Sequence, residues 1–121
     1  MQEPPKLAGM RRVVLAFVNS WQGFKGAFRS EEAFRQEVAL AVVLLPLGVW
    51  LGETPIEKAL LVSSVLLVLI VELLNTGIET VVDRIGLERH ELSGLAKDVG
   101  STAVLLSFGV LAVIWGFILL G

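Results

Sequence analysis

Three apolar runs without a charged residue divide the chain. The last is the longest: residues 99–121 carry no charge and include the apolar stretch VLLSFGVLAVIWGFILL. Crossing the hydrocarbon of a bilayer takes roughly 20 mostly apolar residues in a helix, so a span is expected over about 99–120. The first run, VALAVVLLPLGVWLG at 38–52, lies between Glu37 and Glu53. At about 1.5 Å of rise per residue it is short, so the helix is extended back through Phe34, to about 34–52. Pro46 is no obstacle, because membrane helices tolerate proline better than soluble ones. The middle run, ALLVSSVLLVLIV at 59–71, sits between Lys58 and Glu72 and is too short to cross alone. It reaches spanning length only by continuing through Glu72, Asn75 and Ile78, which predicts a helix over about 58–83. Glu72 and Asn75 then lie inside the membrane or at its boundary, where a carboxylate is expensive and signals function by default.

Ahead of these runs, Val14, Phe17, Val18, Trp21, Phe24 and Phe28 recur at three- and four-residue spacing. That spacing puts them on one face of a helix over about 10–30. Arg11, Arg12, Lys25 and Arg29 can reach lipid phosphates from it. The segment reads as an interfacial helix, either a plain anchor or a functional lid. The polar start MQEPPK is followed by no compact apolar stretch with a cleavage site, so no signal peptide is expected. Basic residues fix the orientation. Lys6, Arg11, Arg12, Lys25, Arg29 and Arg35 precede the first span, and Arg84, Arg89 and Lys97 lie between the second and third. The loop between the first two spans has only Lys58. The N-terminus and the 84–98 segment therefore belong on the cytoplasmic side.

Composition narrows the class further. The chain has 121 residues, 55% of them hydrophobic and 18% charged, against about 25% charged in an average soluble domain. Its length fits one domain, 1–121. Disorder is excluded by the apolar content. A net charge of −2 offers no basic field for nucleic acid. The absence of cysteine excludes disulfides, iron–sulfur clusters and thiolate zinc sites. The expected architecture is an all-α membrane protein with three transmembrane helices and an N-terminal interfacial helix.

The chemistry concentrates at the cytoplasmic end. At about 100° per residue, Glu72, Asn75, Glu79 and Asp83 fall near 0°, −60°, −20° and +20° around the second span. Such a stripe, leading from membrane depth to water, reads as a path or a site; the alternative is a polar seam gluing two helices. Two further polar clusters, Glu31 to Glu37 and HELSGLAKDVGS at 90–101, reach the same boundary. Carboxylates with few other ligands suit magnesium, which prefers oxygen, keeps several waters and usually arrives with substrate phosphates. Lys97 offers those phosphates a point charge. Gly94 and Gly100, on either side of it, would let backbone approach a nucleotide closely. No P-loop, GxGxxG, HExxH or GxSxG motif occurs. His90 is the only histidine, so a histidine triad or multi-histidine metal site within one chain is excluded.

Three segments resemble the small bacterial integral-membrane diacylglycerol kinases: EEAFRQE at 31–37, VELLNTGIETVVDRIG at 71–86 and HELSGLAKDVGSTAVLL at 90–106. The E-L-x-N-x-x-I-E-x-V-x-D pattern beginning at Glu72 combines an intramembrane acid with fixed helical spacing. The resemblance runs from about Arg12 to the C-terminus. It implies phosphoryl transfer from MgATP to diacylglycerol, giving phosphatidic acid at the inner face of the inner membrane. It also implies a homotrimeric helical bundle with sites formed between subunits. Under the resemblance Glu72 is the catalytic base, Glu31 and Glu79 bind the metal, and Lys97 contacts the terminal phosphates. Asn75, Asp83 and Asp98 organise the site, while Arg12, Asn19, Glu88 and His90 lie near the nucleotide. Trp21, Arg35, Glu37 and Ser101 line the lipid-substrate side. Two positions depart from the family pattern: Asn19 replaces an aromatic near the adenine, and Leu95 replaces an arginine.

Two other functions are weighed against this one. An undecaprenol kinase would share the fold and differ in the lipid alcohol. A small proton-coupled transporter would use Glu72 as a relay, but would need neither a second carboxylate cluster nor Lys97 beside Asp98.

Overall fold

The computed structural model describes residues 5–121 and is built from helices alone among them. The first four residues of the MQEPPK start lie outside that range. Helix α1 runs Pro5–Ser30, α2 Glu32–Leu51, α3 Pro55–Ile85 and α4 Glu91–Leu120. Helices α2, α3 and α4 are long and apolar enough to cross a membrane. The short links make them antiparallel neighbours. The end of α1, the start of α2, the end of α3 and the start of α4 therefore share one end of the bundle.

The α2–α3 turn is held by local chemistry. Thr54 caps α3, its hydroxyl accepting from the Glu57 N–H at 3.1 Å, and Pro55 stands in the first turn. Glu57 Oε1 reaches back to accept from the N–H of Glu53, one residue ahead of the cap, at 3.0 Å. Lys58 Nζ donates to the Val49 carbonyl, one of the acceptors left without a partner at the end of α2. Gly52 is buried in this turn; a Cβ there would stand 2.8 Å from the Lys58 nitrogen.

Helix α3 is the centre of the bundle, packing mainly on α4 and α2. Its buried residues Leu61, Ser64, Val65, Val68, Glu72, Asn75 and Thr76 follow helical spacing along one face. Away from the α1 end this face is closed by Trp115 of α4, whose Nε1 donates to the Leu61 carbonyl at 3.2 Å and to Ser64 Oγ at 3.0 Å. Gly48 lets α2 approach closely, since a Cβ there would lie 3.1 Å from Leu61 Cβ. Small residues and interhelical hydrogen bonds are the usual means of joining helices in lipid, where apolar contact supplies no preference for protein over acyl chains.

The expected N-terminal helix and three helices of spanning length are present, and two of the three begin several residues ahead of the stretches expected to cross. Helix α4 starts at Glu91 rather than near residue 99. The polar HELSGLAKDVGS segment is helical because His90 caps it, its Nδ1 accepting from the Leu92 N–H at 3.1 Å. Helix α1 likewise begins ahead of residue 10.

Candidate active site

The α1–α2 junction fixes the first acidic group. Phe24 of α1 meets Phe34 of α2 edge to face, with ring centroids 5.3 Å apart. Arg35 Nη1 donates to the carbonyls of Phe28 at 2.8 Å and Arg29 at 3.1 Å, satisfying acceptors at the end of α1. Glu31 stands at the N-cap of α2, yet its side chain makes no capping hydrogen bond. Its carboxyl is instead within hydrogen-bonding reach of Glu79 on α3. Burial first, then the Glu79 carboxylate, with Glu72 and Asp83 behind it, push the Glu31 carboxyl above its ordinary value. The neighbouring Glu32 is exposed.

The stripe on α3 runs from burial to solvent. Glu72 is 5% exposed and Asn75 8%; Glu79 is half-buried, and Asp83 is exposed. Glu72 lies within hydrogen-bonding reach of Glu37 on α2, so two carboxyl groups meet at the deepest point of the site. One Glu37 oxygen, Oε2, is buried without a partner. Asn75 Nδ2 donates to Glu79 Oε1 at 3.3 Å, while Asn75 Oδ1 is buried and unpartnered. The adjacent Thr76 is also buried, with Oγ1 unpartnered. Reading the chain by acids and amides passed over Thr76, although at about 40° from Glu72 it belongs to the same stripe.

Helix α4 brings the cation. Lys97 Nζ lies 2.9 Å from Asp83 Oδ1. Around that pair opens a cleft of about 170 Å³, whose walls include Asp83, Glu88, His90, Gly94 and Lys97. Asp98 and Ser101 are exposed on α4. Arg12, Asn19 and Trp21 are exposed on α1 and do not line the cleft. Leu95 is exposed and outside it as well. A second, larger groove of about 900 Å³ runs between α1 and α3, lined by Ser20, Gly23, Phe24, Ala27, Leu73 and Thr76 among others. Gly100 departs from its expected role. It is buried and faces Asn75 across the α3–α4 contact, rather than opening onto the cleft.

A bundle of this kind, with a buried glutamate in one span, a half-buried glutamate beside it on another and a lysine-bearing cleft toward the same end, defines a membrane protein built to act on polar groups at the lipid boundary. The chain belongs to the prokaryotic diacylglycerol kinase family, whose profile matches residues 18–119. It is 53% identical over 114 residues to a diacylglycerol kinase of Haemophilus influenzae, covering 94% of this chain and 97% of that protein. A Pseudomonas aeruginosa diacylglycerol kinase is 50% identical over 113 residues, covering 93% and 92% of the two chains. An Escherichia coli diacylglycerol kinase is 48% identical over 111 residues, covering 92% and 91%.

Proposed function

We propose that this chain phosphorylates diacylglycerol with ATP, forming phosphatidic acid, and that Glu72 is its general base. The observation that carries the reading is the burial of Glu72 within a span-length helix, beside Glu37 and on the stripe of α3 that leads to the Lys97 cleft. A lipid hydroxyl reaches such a group from the bilayer, whereas a nucleotide arrives from water. The α1–α3 groove, whose largely apolar wall includes Leu73 and Thr76, the near neighbours of Glu72 on α3, offers a route for an acyl chain toward Glu72.

In this mechanism a Glu72 carboxylate oxygen takes the proton of the primary hydroxyl. The hydroxyl oxygen forms its bond to the γ-phosphorus as the bond from that phosphorus to the bridging oxygen breaks, and ADP leaves. Phosphoryl transfer asks mainly for alignment and neutralisation of charge. Lys97 supplies positive charge where the terminal phosphates would lie, and Asp83 holds it there. Glu88 and His90, in the same cleft, are placed to meet the nucleotide.

Magnesium is the proposed cofactor, held by Glu31 and Glu79. No group of three potential ligands of the histidine, cysteine, aspartate or glutamate type stands together among the described residues. Two adjacent carboxylates fit an ion that completes its shell with water and phosphate oxygens. When bound, the ion would offset phosphate charge. Asp98, Arg35 and Ser101 remain proposed contributors through their match to the family pattern.

We also propose a homotrimer in the bacterial inner membrane with the N-terminus in the cytoplasm. The orientation rests on the basic residues before α2 and between α3 and α4. Assembly is supported by Arg12, Asn19 and Trp21, which one chain leaves outside its own cleft and a neighbouring copy could bring to it.

The test is ADP release from MgATP by the purified protein in mild detergent, with short-chain diacylglycerol and undecaprenol offered separately. Release that depends on diacylglycerol supports the reading. Preferential use of undecaprenol would move the assignment to that alcohol, and no release with either would favour the transporter.

A further inference from the structure

The Asn75 side chain is hydrogen-bonded on one side and confined by packing on the other. Its Nδ2 donates to Glu79 Oε1 at 3.3 Å, which turns its Oδ1 away, toward α4. There the oxygen is buried, finds no donor, and faces the backbone of Gly100. A Cβ at position 100 would collide with Asn75 Oδ1 and lie 3.2 Å from Cγ. Flipping the amide would not relieve the collision, because NH₂ and O occupy similar space. It would also turn the oxygen toward the Glu79 carboxylate, exchanging a hydrogen bond for repulsion. Rotating the side chain away would break the bond to Glu79.

We infer that Gly100 is a positioning residue for the metal-binding carboxylate. The space left by its missing side chain admits the Asn75 Oδ1 and so lets the amide keep the orientation that directs Glu79 toward Glu31. This rests on the proposed role of Glu79 as a magnesium ligand. Residues that orient a ligating carboxylate from outside typically change metal affinity by about 10–100-fold when altered. Helix propensity works in the opposite direction, since alanine is a better helix former than glycine. Weakened metal binding in Gly100→Ala would therefore not come from loss of α4.

The experiment measures Mn²⁺ binding by electron paramagnetic resonance. It uses the full-length protein in detergent, with an ATP analogue that cannot transfer its phosphate. Glu79→Gln, Gly100→Ala, Asn75→Ala and the Asn75→Ala/Gly100→Ala double variant are compared with the parent chain. The expected result is that Glu79→Gln and Gly100→Ala each weaken Mn²⁺ binding about tenfold or more. The double variant should bind within about twofold of Asn75→Ala alone, because once the amide is gone the added methyl has nothing to displace. Weak binding in Glu79→Gln with unchanged binding in Gly100→Ala would overturn the positioning role. So would a double variant whose loss is the product of the two single losses. Unchanged binding in Glu79→Gln would overturn the metal assignment itself, and the inference with it.

Discussion

Lys97 Nζ on α4 and Asp83 Oδ1 on α3 lie 2.9 Å apart, and the pair joins two spans at the mouth of the cleft. Both side chains are about half exposed, at 45% and 48%. Ion pairs so open to water contribute little to stability. The pair is thus better suited to placing a charge than to holding the bundle together. Lys97→Met is expected to lower kcat/KM for ATP by about a hundredfold or more, as loss of a group that offsets phosphate charge typically does. Its melting temperature should match that of the parent chain. Steady-state kinetics and thermal unfolding in the same detergent check both halves of this expectation.

Glu31 gives a pH-dependent prediction whose sign can be worked out. Burial and the acids around it raise its carboxyl above the ordinary value. The folded protein therefore holds this proton to higher pH than the unfolded chain does. Stability from this group is fully present below the ordinary carboxylate value and is lost as pH rises through the raised one. Glu31→Gln should accordingly make the metal-free protein more heat-resistant than the parent at neutral pH. The advantage should shrink as pH falls toward 4.5, the ordinary value. Added magnesium should recover the difference in the parent and have less effect on the variant. Melting curves across pH, with and without Mg²⁺, test this.

The turn opposite the site gives a purely structural prediction. A Cβ on Gly52 would lie 2.8 Å from the Lys58 nitrogen and 2.9 Å from its Cα, and backbone cannot yield as a flexible side chain would. Gly52→Ala should destabilise the fold by about 1–3 kcal/mol, the usual cost of forced crowding. The KM for ATP should not change, because the turn lies at the far end of the bundle. Thermal unfolding and a nucleotide titration separate the two effects.

Much of the fold was legible from apolar runs, because a span has to be long and uncharged. Its ends were not, because caps decide them. Thr54 with Pro55 starts α3 ahead of Lys58, and His90 starts α4 well before the apolar run at residue 99. The stripe of Glu72, Asn75, Glu79 and Asp83 followed from helical spacing within one element. What spacing along a single helix could not supply was contact between elements. The approach of Glu37 to Glu72 and of Glu31 to Glu79 depends on how α2 lies against α3. Gly100 illustrates the limit best. Beside Lys97 in the chain it suggested room for a nucleotide, yet the α3–α4 packing turns it onto Asn75.

The central claim is that Glu72, at 5% exposure the most buried acid of the site, removes the proton from the lipid hydroxyl. The most direct test is lipid-dependent ADP release by Glu72→Gln, measured beside its binding of MgATP and its oligomeric state. The account predicts loss of turnover by at least about a hundredfold, the scale expected when a general base is removed. MgATP binding and assembly should be retained. Substantial remaining turnover in an intact, nucleotide-binding oligomer would contradict it and remove Glu72 as the base.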